Sequence, residues 1–464
     1  MSIRSLFSAK DMTLGRPWKR ILEFSVPMLI GNIAQQLYST VDSVIVGHYV
    51  GDNALAAVGS ATPILNLLLA LFVGISTGAG IVVSQSFGAR DRDGLSKAIG
   101  NCISLTFLAT VLIMVVGPII TRPMLVLLDT PDSILEWCVD YLNIYFLGII
   151  GFFFYNMLSG ILRGLGDSVS ALGFLLLAAA LNVVLDLLFV AKFGMGVPGV
   201  SLATVISQAI SAVFCFMKLM KMREHFTLNK AAVKLRKEMA MRIIRIGVPS
   251  GITQAIMSMS MMIVQSLTNA MGEVVIAANV IVMRVDGFAM MPNFSFGQAM
   301  SVYTGQNVGA GKWKRVQQGV RQGTLISQAF SVAIVIILLF LSPYLFGFFT
   351  ETQSLIDLAT SMIRIMAVGY LAVCVSQVLG GVMRGSGNTV TPMWISMIYT
   401  VVFRIPVAYG LAYLTRSAEF PHGHPYVLSI SLVLAWVLGM IMSVVAFRYG
   451  KTRKLIQERM AEEE

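Results

Sequence analysis

Gln35-Gln36-Leu37-Tyr38-Ser39-Thr40-Val41-Asp42 sets a carboxylate inside the first long apolar run of the chain. An ionised side chain in hydrocarbon is costly, so it belongs on a face turned to protein or water. Gln35, Ser39 and Asp42 follow i, i+4, i+7 spacing and share one helix face. The pattern recurs at Asn182-Val183-Val184-Leu185-Asp186, where an amide and a carboxylate stand one turn apart. The two stripes read as halves of a single ion or proton site. The competing reading is a pair of carboxylates snorkelling at the membrane surface.

Working outward, the 464 residues are 56% hydrophobic and 12% charged, with a mean hydropathy of +0.78. Soluble domains carry roughly 25% charged residues, so the chain reads as a polytopic membrane protein. The net charge of +11 does not point to nucleic acid, because the basic residues are sorted by loop. All but six of the 34 Lys and Arg residues fall in the N-terminal tail, alternate loops and the C-terminal tail. Of the six, Arg122, Lys192 and Arg416 lie in the opposite loops and Arg284, Arg364 and Arg404 within spans. The positive-inside rule then puts both termini in the cytoplasm, with the chain multi-pass in the plasma membrane. The first apolar run is too long for a signal-peptide core and reads as an uncleaved span. Cys102, Cys138, Cys215 and Cys374 are far apart in apolar surroundings and read as packing residues.

Apolar runs of about 20 residues suffice to span a bilayer. They fall at 21–46, 54–83, 98–118, 137–160, 170–190, 199–220, 243–270, 276–302, 318–341, 358–383, 390–415 and 426–448. This predicts an all-α membrane protein with twelve transmembrane helices. The expected domains are an N-terminal lobe over 1–220, a cytoplasmic linker over 221–242 and a C-terminal lobe with its tail over 243–464. An internal repeat supports the division. Gln85-Ser86-Phe87-Gly88-Ala89 answers Gln306-Asn307-Val308-Gly309-Ala310, and Gly160 to Asp167 answers Gly381 to Asn388. Gly51-Asp52 answers Gly272-Glu273, and all three pairs share an offset of 221. Six helices per copy is an even number, so both copies enter from one side. Such six-helix lobes are related by a pseudo-two-fold axis along the membrane normal, with a substrate path between them.

A rise of ~1.5 Å per residue converts position to depth. Asp42 lies roughly 30 Å along the first helix from Ile21, and Asp186 about 24 Å past Ser170 on the fifth. Thr204 is about 8 Å below the outer end of the sixth. Asp42, Asn182, Asp186 and Thr204 are therefore expected to share the outer half of the first lobe. Their hard oxygen donors suit a proton or a small hard cation such as Na⁺. The second half carries Arg284-Val285-Asp286 near the midplane of the eighth helix and Arg404 on the eleventh. The i, i+2 spacing of Arg284 and Asp286 keeps them from pairing along one face, so each needs a partner elsewhere. With Gln35, Ser39 and Gln254 they are candidates for a substrate cavity or a lobe-stabilising network. The 29 Met residues would suit an adaptable cavity for varied apolar ligands.

Several signals fail. Gly305 to Lys312 looks like a phosphate loop, but Gln306 stands where a glycine is needed and Trp313 replaces Ser or Thr. His422-Gly423-His424 lacks further metal ligands, and no catalytic constellation stands out, so neither an enzyme nor an organic cofactor is expected.

These stretches together resemble a known family. Val26-Pro27, Val41-Asp42, Gly88-Ala89-Arg90, Leu162 to Asp167, Asn182 to Asp186, Arg284 to Phe288, Gly305 to Gly311 and Arg404-Ile405-Pro406 are similar to multidrug and toxic compound extrusion (MATE) transporters, most of all the DinF-like branch. The resemblance covers nearly the whole chain. It implies two six-helix lobes, a central cavity and cation-coupled antiport. It also implies an N-lobe cation site on Asp42, Asn182, Asp186 and Thr204, the set that depth had assembled, with Tyr141 as a further member. A second branch uses acids on the seventh and tenth helices; here those helices offer Gln254, Gln265 and Gln377 instead.

The expected function is efflux of amphipathic, cationic organic compounds by antiport with H⁺ or Na⁺, by a monomer in the lipid bilayer. The alternative is a flippase for a lipid-linked saccharide, which the scarcity of arginines within spans disfavours. A passive channel is the third reading.

Overall fold

The computed structural model describes residues 10–127 and 130–462, apart from the side chains at positions 43, 52, 53, 55 and 63. The first nine residues of the basic tail lie outside the described part. Among the described residues every regular element is a helix. The elements of the first half are α1 (Pro17–Tyr49), α2 (Asp52–Gly88), α3 (Arg92–Leu127), α4 (Asp132–Leu147), α5 (Ile149–Gly164), α6 (Ser168–Asp186) and α7 (Gly196–Lys221). A short α8 (Lys230–Val233) lies in the linker. The second half has α9 (Lys237–Ala270), α10 (Glu273–Gly309), α11 (Trp313–Gly347), α12 (Gln353–Gly385), α13 (Val390–Met397), α14 (Arg404–Leu414), α15 (Val427–Tyr449) and α16 (Lys451–Glu462).

Among the described residues ten helices are long and apolar enough to cross a membrane, and α4–α5, bent by 53°, makes an eleventh if the pair is one span. The twelfth by length is α1, whose 33 residues extend about 50 Å. Its polar stretch around Asp42 keeps it below the apolarity of the others. The bend in the fourth span falls at Gly148, where an added Cβ would come within 2.2 Å of Val205. Two spans also loosen into π-helical turns, at Leu187–Lys192 directly after Asp186 and at Ile398–Phe403 directly before Arg404.

The repeat is visible in the backbone. Both α2 and α10 have 37 residues and follow a glycine of positive φ, Gly51 at 108° and Gly272 at 98°. The turns after α5 and α12 use Gly166 (φ 87°) and Gly387 (φ 92°) in the same way. Arg90 takes φ 55° where the other copy has Gly311 at 69°. The duplicated backbone thus keeps a left-handed turn at Arg90 that an L-residue adopts only at a cost.

The helices form two compact units, one of Met1–Asp11 and Val26–Gly251, the other of Met12–Ser25 and Ile252–Glu464. These bounds differ from a cut at the 221–242 linker. Helix α1 changes unit beside Pro27, and α9 does so two residues after Pro249. The first unit keeps the start of α9 because four glycines let backbones touch. A Cβ on Gly74 would meet the Gly251 nitrogen at 2.2 Å, and one on Gly78 the Gly247 nitrogen at 2.5 Å. This is the small-xxx-small packing by which membrane helices associate without a hydrophobic driving force.

The second unit keeps residues 12–25 through the stretch that imitates a phosphate loop. The Met12 N–H donates to Gln306 Oε1 at 2.8 Å. Lys312 Nζ donates to the Thr13 carbonyl at 2.9 Å, and the Arg315 guanidinium donates to the carbonyls of Met12 at 3.0 Å and Gly15 at 2.6 Å. Those donors are turned on the protein's own backbone. In the first unit the linker is held in a comparable way. The Arg236 N–H donates to Asn101 Oδ1 at 2.8 Å, and Ser104 Oγ donates to the Val233 carbonyl at 2.5 Å.

Candidate cation site in the first unit

Helix α6 presents Asn182 and Asp186 one turn apart, and neither retains any surface exposure. Asn182 is the centre of the cluster. In the amide orientation that satisfies its neighbours, its Nδ2 donates to Asp186 Oδ2 at 2.7 Å and to the Tyr38 hydroxyl at 3.2 Å. Its oxygen accepts from the Thr204 N–H at 3.0 Å and lies 3.2 Å from the Thr204 hydroxyl. The reverse orientation would set the amide oxygen against the Asp186 carboxylate, acceptor against acceptor.

The Asp42 carboxyl, from α1, meets that of Asp186 within hydrogen-bonding reach. Two carboxyls this close require a shared proton or a cation between them, since both cannot stay ionised in a desolvated site. Asp42 Oδ1 and Asp186 Oδ1 are both buried with no hydrogen-bond partner in the protein. An unpaired buried carboxylate oxygen is expensive, and these two are the acceptors that an incoming ion would satisfy. Tyr141, buried on α4, lies within electrostatic reach of Asp42, Tyr38 and Asp186. Its carbonyl accepts from Ser201 Oγ at 2.9 Å, which ties α4 to α7.

The structure therefore brings together Asp42, Asn182, Asp186 and Thr204, with Tyr141 beside them. It adds Tyr38, which spacing had not selected although it lies one turn before Asp42. Gln35 and Ser39 are exposed and stand outside the cluster; the Ser39 hydroxyl donates back to the Gln35 carbonyl at 3.1 Å. The seam of α1 that turns inward runs through Tyr38, Asp42, Ile45 and Val46. Among the described residues no group of three His, Cys, Asp or Glu side chains could hold a metal ion.

In the second unit Asp286 and Arg284 point apart. Asp286 Oδ1 accepts from the Tyr370 hydroxyl at 2.7 Å, and Arg404 lies within electrostatic reach. Arg284 and Gln254 are exposed on the surface of the unit and take no part in this group.

Comparison with known proteins follows the same duplication. The chain is 29% identical over 428 residues to the probable multidrug resistance protein YoeA of Bacillus subtilis, covering 90% of this chain and 92% of that one. It is 25% identical over 442 residues to the probable multidrug resistance protein NorM of Thermotoga maritima, covering 94% and 91%. A crystal structure of MATE in complex with MaL6 superposes with a TM-score of 0.88 at 24% identity, over 98% of this chain and 100% of that chain. The MatE family model matches twice, at residues 27–188 and 249–410, one match on each copy of the repeat. A match in both halves of a multi-pass, wholly helical membrane chain leaves one assignment: the protein belongs to the MatE family.

Proposed function

We propose that this protein is a secondary active exporter that exchanges H⁺ or Na⁺ for amphipathic organic cations across a plasma membrane. The observation that carries the reading is the meeting of the Asp42 and Asp186 carboxyls, each with a buried oxygen that no donor of the protein reaches, beside Asn182, which donates to Asp186. Oxygen donors from two carboxyls, an amide and a hydroxyl suit a proton or a hard monovalent ion. Entry of the cation neutralises the pair and removes the cost of two unpaired acceptors. That change alters the seating of α1 against α6, so ion occupancy biases the helix. The likeness of this chain to two probable multidrug resistance proteins supports efflux as the direction of transport. The positive-inside pattern places both termini in the cytoplasm. The protein acts as a monomer, in the DinF-like manner that its N-lobe residues resemble. The membrane potential contributes about 2.3 kcal/mol per charge per 100 mV, in addition to the chemical gradient of the ion.

The test is substrate efflux from proteoliposomes with pH and sodium gradients imposed separately. One of the two gradients is expected to drive export. Asp42→Asn and Asp186→Asn should each abolish it at unchanged protein level. Undiminished efflux in both variants would remove the pair from the mechanism.

A further inference from the structure

The second unit contains a cavity of about 70 Å³ between spans that the repeat relates to those of the cation cluster. Its walls come from α9, α10, α12, α14 and α15, and so include the first, fifth and sixth spans of this half. Met366 lines it where the first unit has Tyr145, 221 residues earlier, beside Tyr141. The sign of the charge is inverted. Where the first unit presents two carboxylates, this cavity presents Arg404, nine-tenths buried, whose Nε has no hydrogen-bond partner.

Each of the polar groups around it has a proton to donate. The Ser429 hydroxyl is buried and unpartnered, and Asn279 carries a side-chain amide. Gln265 Nε2 gives one proton to Asn269 Oδ1 at 2.8 Å and keeps another. The first turn of α15 supplies Leu428 and Ser429 to the wall, so the positive end of that helix lies at the cavity. Asp286 is the nearby acid. It does not line the cavity, and its Oδ1 is occupied by Tyr370. Exposed Gln265 and Met261 form the mouth.

We propose that this cavity binds one small monovalent anion, of halide or simple carboxylate size, on Arg404, Ser429 and Asn279. A buried N–H with no acceptor is costly, and an anion would satisfy the open Nε donor of Arg404. A cavity needs only about 10–15 Å³ of such space to hold one water, so this one has room for a small anion. The inference is independent of antiport, since it concerns binding without any gradient.

The experiment is thermal unfolding of the purified protein in sodium chloride, bromide, acetate or gluconate at constant sodium. Chloride and bromide should raise Tm saturably relative to gluconate. Arg404→Gln should lose the dependence, whereas Arg416→Gln, in an exposed loop, should keep it. A rise with acetate alone would assign the same chemistry to a carboxylate carried by another molecule. Equal Tm in all four salts, or a halide effect that survives in R404Q, overturns the site. Should R404Q fail to fold, wild-type crystals soaked in bromide decide the matter: an anomalous peak beside Arg404 Nε supports the site, and an empty cavity refutes it.

Discussion

Asn182 is the side chain on which the acidic cluster depends most. It is fully enclosed, and its amide answers Asp186 and Tyr38 on one edge and Thr204 on the other. Asn182→Ala should leave Asp186 Oδ2 without its donor, at a cost of about 1–3 kcal/mol. A lower Tm in detergent checks this, and Tyr38→Phe, which removes one neutral bond, should cost less, ~0.5–1.5 kcal/mol. The carboxylates of this cluster were legible in the sequence, because an acid in an apolar run has few innocent explanations. Tyr38 was not, because tyrosine in a spanning helix usually packs or sits at the interface. Spacing set Gln35 and Ser39 on one face with Asp42, and the structure leaves both exposed, outside the cluster. Residues 35, 39 and 42 form a stripe about as wide as one helical face, and which side of that stripe turns inward is set by neighbours on α6 and α7. Ile45 and Val46, both buried, mark the side that won.

At the scale of elements, the spans, their order and the repeat could be read from hydropathy and a constant offset. The π-helical turns after Asp186 and before Arg404 could not. They add one residue per turn without changing composition, and such turns often accompany functional positions. The contact of α2 with α9 was hidden for a different reason. Gly74, Gly78, Gly247 and Gly251 are four among the 41 glycines of the chain, and only the fold reveals that they face one another. Gly247→Leu should force the two backbones apart, since the added Cβ starts 2.5 Å from Ile75 Cα. Overpacking of this kind costs about 1–3 kcal/mol or more. Loss of the monodisperse peak in size-exclusion chromatography is the expected result, and a normal profile with wild-type Tm would refute the contact.

For the whole molecule, the linker at 221–242 suggested a clean cut into halves, and the compact units do not follow it. Each unit includes a piece of the other half's first span: 12–25 belongs with the second unit and 237–251 with the first. Expressing residues 1–228 and 229–464 as separate polypeptides tests this. Either piece alone should fail to give a stable product, and co-expression should restore one that copurifies. Stable halves obtained singly would contradict the exchange. The sequence could not disclose it, because a hydropathy profile records which residues lie in the membrane and not which bundle they join.

The exchange also orders events during synthesis. Met12 waits for Gln306, a partner 294 residues downstream, so this segment is seated only after synthesis has passed well into the second copy of the repeat. Closing so long a loop is slow relative to local helix pairing. Until then the basic residues Arg16, Lys19 and Arg20 remain free at the membrane surface, a nascent-chain state that the insertion machinery has to tolerate for most of the time translation takes.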